Sequence, residues 1–152
     1  MSGGTVLKIK FIEDETLQDD TLVIKAKSLT PEVQAILNEL QNTSIQAIYR
    51  GSDIVLDPKD ILFFETEQNT VYAHALTESF ETRYKLYELE DLLSNRFIRI
   101  SKSTIANIQE ISSIERNITS SRKISFFNSV KVVYVSRMYY PLLKEKLNER
   151  SL

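Results

Sequence analysis

The chain has 152 residues, 42% hydrophobic and 26% charged, with a formal net charge of −2. That is ordinary for a globular protein and enough to bury a core without staples, as one domain or one domain with an extension. Having no cysteine excludes disulfides, cysteine nucleophiles and thiolate metal sites and fits a reducing cytoplasm, and no apolar run reaches the roughly 18 residues that a membrane helix needs.

Met1-Ser2-Gly3-Gly4 carries neither the basic nor the apolar region of a signal peptide. Thr5 to Ile12 interleaves Val6, Leu7, Ile9, Phe11 and Ile12 with Lys8 and Lys10, which predicts a strand. Glu13 to Asp20 is acidic and reads as a turn. Thr21 to Lys27 predicts a second strand, with Leu22, Ile24 and Ala26 on one face. Thr30 is placed as an N-cap with Pro31 at the first helical position, and Val33, Ile36, Leu37 and Leu40 follow at helical spacing. Asn42 to Ser44 is a short junction. The expected division is a strand–strand–helix extension over residues 1–43 and a second domain over 44–152.

From Ile45 onward short strands dominate. They are expected near 45–50, 53–57, 60–66, 70–76 and 79–84. Turn chemistry stands at Arg50-Gly51-Ser52-Asp53 and Asp57-Pro58-Lys59, and Glu67-Gln68-Asn69 is a polar loop. Leu86, Leu89, Leu92 and Leu93 form the stripe of a short helix. Strands follow near 97–100, 107–116, 122–127 and 129–136, and Tyr139 to Glu149 closes the chain as a helix. The fold class is mainly β with short helices. No internal repeat or low-complexity segment is evident.

Charge is unevenly divided. Residues 1–95 hold 8 Lys and Arg against 17 Asp and Glu, net −9, while residues 96–152 hold 11 against 4, net +7. A basic part laid against a polyanion supplies steering and counterion release despite an acidic remainder; the plain alternative is chance unevenness. Little points to catalysis. His74 is the sole histidine, which rules out a His-rich metal site and is more often structural in such a strand. Glu13-Asp14-Glu15 reads as a solvated turn, and Glu88 and Asp91 as the exposed side of a helix. There is no GxxxxGK[ST], GxGxxG or GxSxG. No enzymatic reaction, cofactor, metal or small-molecule substrate is indicated. A small hydrolase would need a pocket around His74 and several carboxylates.

Residues suited to nucleic acid are more specific. Lys102 is the apex of a Ser101-Lys102-Ser103 turn after the strand from Phe97 to Ile100, where a lysine can donate to guanine O6 and N7 or to phosphate. Alone it would read as an ordinary exposed lysine. Arg137 directly follows a strand end, and its planar fork suits bidentate guanine contact; the alternative is a helix-start arginine paired with a carboxylate. Ser136 is a candidate N-cap and phosphate donor. Asn107 is better suited to fixing the turn through main-chain hydrogen bonds than to touching DNA. Arg99, Arg122, Lys123 and Lys144 are generic phosphate candidates, with Arg99 alternatively neutralising a carboxylate. Phe63, Phe64, Phe97 and Phe126 read as core. Tyr139-Tyr140 either covers the helix–sheet junction or offers a hydroxyl to phosphate.

Phe63-Phe64-Glu65, a short helical segment, Phe97-x-Arg99-x-x-Lys102-Ser103-x-x-x-Asn107 and a final Ser136-Arg137 occur here in the order of a known signature. The region, roughly residues 44 to 150, resembles the LytTR family of bacterial DNA-binding domains built mainly from strands. The resemblance implies a sequence-specific transcription regulator reading double-stranded DNA through loops in successive major grooves. The Lys102 position would contact bases, Ser101 and Ser103 would serve the DNA backbone, and Arg137 would enter a second groove. The third contact would come from the loop of Gln68, Asn69 and Thr70, where Asn69 could meet adenine or phosphate. It further implies paired direct repeats, two copies on DNA, cytoplasmic location and a possible membrane-protein inhibitor. About 43 residues are too few for the receiver domain that many members carry, so Asp14, Asp19 and Asp20 are not expected to be phosphoacceptors. The extension is expected to self-associate, forming a homodimer, or to dock on the domain. The alternative function is a protein-interaction module without DNA binding.

Overall fold

The computed structural model describes residues 7–19, 21–41, 44–93, 95–116 and 121–150. Val6, Asp20 and the expected junction at Asn42 and Thr43 lie outside them. The residues form two compact units, Met1–Leu40 and Gln41–Leu152. Among the described residues no helix is long and apolar enough to cross a membrane.

In the first unit the sequence expectation holds for the helix and for the acidic turn, but not for the two strands. α1 (Pro31–Gln41) starts as Thr30 and Pro31 dictate: the Thr30 hydroxyl accepts from the Val33 N–H at 3.3 Å and the Thr30 carbonyl from the Gln34 N–H at 2.9 Å. The two expected strands are not formed among the described residues, because neither 7–12 nor 21–27 has a ladder partner. Alternation specifies faces, not a partner, and a lone two-stranded ribbon is marginal in water. The acidic turn between them is real. Leu17 N–H donates to Asp14 O at 3.2 Å and Thr21 N–H to Gln18 O at 3.0 Å. The hydroxyl and N–H of Thr16 donate to the Asp14 carboxylate and hold its pKa below the usual value. Ile9, Phe11 and Leu22 remain 92%, 83% and 75% exposed.

The second unit is antiparallel β with two helices. Its strands are β1 (Ile45–Tyr49), β2 (Ser52–Leu56), β3 (Phe63–Glu67), β4 (Thr70–His74), β5 (Ser79–Glu81), β6 (Phe97–Arg99), β7 (Thr104–Asn107), β8 (Ile111–Arg116), β9 (Arg122–Phe126) and β10 (Val132–Val135). Its helices are α2 (Leu86–Leu92) and α3 (Tyr140–Arg150). A seven-stranded sheet has the order β2-β1-β5-β4-β3-β7-β6, and a three-stranded sheet the order β10-β9-β8.

Phe63 and Phe64 show how the layers arise. Successive strand residues point to opposite faces. Phe64 enters a core with Ile45, Val71, Ile105 and Leu86 and Leu89 of α2. Phe63 enters the other, with Ile98, Ala106, Ile124, Phe126, Val133 and Leu143 of α3. The large sheet is thus covered by α2 on one face, and by the small sheet and α3 on the other. Phe126 is buried and Phe97 packs partly buried against the α2 side, as expected of core residues.

The expected strand 107–116 begins only at β8, after a short 3-10 turn at Ile108–Glu110, and β7, which the sequence did not set apart as a strand, precedes that turn. Asn107 causes the break. It is fully buried, its amide Nδ2 donates to Ile61 O at 2.9 Å, and its Oδ1 accepts from the Gln109 N–H at 3.1 Å. The side chain that ends β7 therefore caps the turn. Similarly, β3 begins at Phe63 rather than near residue 60, because Asp57 caps a 3-10 turn over Pro58–Asp60.

Candidate nucleic-acid interface

Strands β6 and β7 pair with Arg99 opposite Ile105, and the Ile100 N–H donates to Thr104 O at 3.0 Å. Ser101, Lys102 and Ser103 form the turn between them. The Ser101 hydroxyl accepts from the Ser103 N–H at 3.2 Å, the local hydrogen bond that makes serine a turn former. The carbonyls of Ser101 and Lys102 both accept from Arg99. The Lys102 side chain is exposed, with no ion pair among the described residues.

Two backbone hydrogen bonds bring sequence-distant segments to this turn. Ser103 O accepts from the Thr66 N–H at 2.8 Å, which ties it to β3, directly before the Gln68-Asn69 hairpin turn. Ile100 O accepts from the Ser136 N–H at 3.0 Å, which ties its other end to the residue before Arg137. The segments holding Asn69, Lys102 and Arg137 are therefore hydrogen-bonded into one end of the unit. Gln68 and Asn69 connect β3 to β4 with φ of 49° and 68°, the two positive values of a type I′ turn, and both are exposed. Arg137 is exposed, and among the described residues no hydrogen bond or ion pair holds its guanidinium.

Other expected residues have been given work by the fold. Arg99 reaches Glu90 of α2 as well as the two turn carbonyls, so its side chain points into the protein; this is the carboxylate-neutralising alternative. The Arg122 guanidinium sits 3.9 Å over the Tyr140 ring, and Lys123 pairs with Glu115 at 3.6 Å. Tyr139 and Tyr140 pack partly buried against the α3 core, as junction cover. Ser136 is not a side-chain cap. Its carbonyl accepts from the Tyr139 and Tyr140 N–H groups at 3.2 and 3.1 Å, while its Oγ is buried with no hydrogen-bond partner among the described residues. Lys144 is exposed on α3, with no hydrogen bond to the turn among the described residues.

Acidic residues adjoin this end. Glu65 accepts from the Thr104 hydroxyl at 3.1 Å, and Glu67 is exposed at the end of β3. Their carboxylates and His74 form a group of potential metal ligands whose donor atoms lie within 4.8 Å of one another. His74 stacks on Phe63 at 4.4 Å, and burial, helped by the Lys131 charge, lowers its pKa to about 4. The imidazole is neutral near pH 7, but the same Lys131 charge opposes a cation there. Cavities of about 460 Å³ beside β1, β2 and Tyr84, and of about 410 Å³ beside Asp60 and Glu110, do not include His74 in their linings.

Comparison with known proteins gives one consistent picture. The family model described as the LytTr DNA-binding domain matches residues 51–148. A Staphylococcus aureus (strain NCTC 8325 / PS 47) protein described as an uncharacterized HTH-type transcriptional regulator is 26% identical over 147 residues, covering 94% of this chain and 99% of the relative. Its counterpart from strain MRSA252 is 25% identical over the same span. A solved LytTr DNA-binding domain of a methyl-accepting/DNA response regulator from Bacillus cereus superposes with a TM-score of 0.63 at 24% identity, covering 69% of this chain and 96% of that one. The helices described here are separated by strands, so no two consecutive helices make a helix-turn-helix among the described residues.

Proposed function

Since this chain belongs to the LytTR family of DNA-binding domains, we propose that it is a sequence-specific transcription regulator that reads double-stranded DNA through loops rather than a recognition helix. The observation that carries the reading is the pair of backbone bonds, Thr66 N–H to Ser103 O and Ser136 N–H to Ile100 O, that gather three loops at one end. Lys102 and Arg137 are exposed there with donors free for base edges. Ser101 and Ser103 supply hydroxyls for the DNA backbone, Asn69 stands at the tip of the third loop, and Lys144 adds charge nearby in sequence. Ser136 takes part through its backbone and Arg99 through the shape of the turn.

The wider reading is a bacterial, cytoplasmic regulator that binds paired direct repeats as a homodimer. The exposed Ile9, Phe11 and Leu22 of the first unit favour an association surface. A restraining membrane protein rests on family resemblance alone. The same exposed residues favour the second reading, a protein-interaction module without DNA binding. A mobility-shift titration of the full chain on the DNA upstream of its own gene, against a random duplex of equal length, separates the two. Discrimination by about tenfold or more supports DNA reading, and no shift at micromolar protein refutes it. Sedimentation of the full chain and of a chain beginning near Thr43 tests the homodimer: both monomeric at micromolar concentration would exclude self-association through the extension.

A further inference from the structure

We infer that Arg99 is a positioning residue that, anchored by Glu90 on α2, holds the Ser101-Lys102-Ser103 turn in the shape that presents Lys102; this rests on the DNA-reading function proposed above. Each guanidinium nitrogen has a hydrogen-bond partner. Nε donates to Ser101 O at 2.7 Å, Nη2 to Lys102 O, and Nη1 to the Glu90 carboxylate. The side chain is 22% exposed, and its charge is paired. A planar fork with fixed donor directions can span two successive carbonyls while held by a carboxylate. A lysine, with one point-like ammonium, cannot.

The arrangement does what the turn cannot do alone. The turn of two serines and a lysine takes its internal support from serine contacts: the Ser101 hydroxyl accepts from the Ser103 N–H at 3.2 Å and lies 3.4 Å from the Ser103 hydroxyl. Its two leading carbonyls point to Arg99, so the turn's conformation depends on the guanidinium, and the guanidinium's on α2. The Lys102 ammonium is left outside this network, available to DNA. Pre-organising a contact loop in the free protein spares part of the ordering cost that binding would otherwise pay.

Electrostatics separates this role from direct phosphate contact, because the two make opposite predictions for Glu90. If Arg99 were a phosphate contact restrained by Glu90, Glu90→Gln would release it and remove a negative charge, and affinity for any duplex would rise. If Arg99 positions the turn, Glu90→Gln lowers cognate affinity although it removes a charge that repels DNA.

The test uses the full chain as wild type, Arg99→Lys and Glu90→Gln, titrated against cognate and random duplexes over a range of salt, with urea midpoints as the folding control. Positioning predicts that each variant loses about tenfold on the cognate duplex. On random DNA each should keep its affinity within roughly twofold, with an unchanged salt slope. A rise for Glu90→Gln on both duplexes, or wild-type cognate affinity for Arg99→Lys, overturns it. Backbone 15N order parameters of residues 101–103 give a readout without DNA. They should fall in both variants toward flexible-loop values, below about 0.6, while those of β8 and β9 stay fixed. An unchanged turn overturns the clamp whatever the DNA result. A wild type that fails to discriminate cognate from random DNA refutes the DNA-reading function, and the order parameters still decide the clamp.

Discussion

Asn107→Ala should be among the most destabilising polar substitutions in the second unit while leaving the DNA-facing side chains in place. The side chain is fully buried and serves two backbone groups, Ile61 O at 2.9 Å and the Gln109 N–H at 3.1 Å. Truncation leaves the Ile61 carbonyl without that donor, at about 1–3 kcal/mol for a buried polar group. It also removes the cap of the 3-10 turn, worth about 0.5–2 kcal/mol in comparable caps. The expected loss is about 2–4 kcal/mol, a large share of the roughly 5–15 kcal/mol that a domain has. Urea unfolding should show the midpoint falling by on the order of 1–2 M with an unchanged slope. Asn107→Asp sharpens the test. An ionised carboxylate keeps the acceptor for Gln109 but faces Ile61 O with no proton, so its folded pKa lies above its unfolded one. The deficit against wild type should then be smallest at low pH and grow as pH rises through that folded pKa. If Asn107→Ala keeps wild-type stability and loses DNA binding, Asn107 is a contact and not a cap.

Lys102→Ala and Arg137→Ala should each cost about 1–3 kcal/mol on a cognate duplex and less on random DNA; equal losses on both in an anisotropy titration would reduce them to phosphate contacts. Asn69→Gly should leave the urea midpoint unchanged or raise it, since glycine accepts a φ of 68° without strain; loss of cognate affinity with stability intact would mark Asn69 as a DNA contact. The His74 pKa, lowered by burial and by Lys131 to about 4 from 6.5, makes the unfolded chain bind the proton more tightly. Stability should therefore be full above about pH 6.5 and decline as pH falls toward 4. His74→Gln should flatten that decline, and an NMR titration of His74 with a midpoint at its ordinary value would refute the burial argument.

Strand order along the second unit was legible because alternation, turn residues and short apolar runs all agree there. Two of the places where the strand pattern failed in that unit share a cause. At residues 57–60 and 107–110 an Asp or Asn side chain caps a 3-10 turn, and a buried amide bonding a residue 46 positions away is invisible to periodicity. In the first unit the apolar alternation at 7–12 and 21–27 was read as strands, but alternation carries no information about a hydrogen-bonding neighbour. For the candidate site, residue chemistry singled out the turn and Arg137, while their convergence came from Thr66, Ile100 and Ser136, whose contributions are backbone atoms. Arg99 was ambiguous from sequence because a guanidinium pairs with phosphate and with carboxylate equally well. Only its position facing α2 resolves where its donors go.

The most direct measurement of the central claim is the map of backbone amide shift changes when the full chain is titrated with a duplex that it binds. Perturbations should concentrate in three stretches, residues 68–69, 101–104 and 136–138, and appear together over one titration. Changes centred on α2, on β1 and β2, or on the outer strands β8 and β9, with these three stretches unmoved, would contradict it.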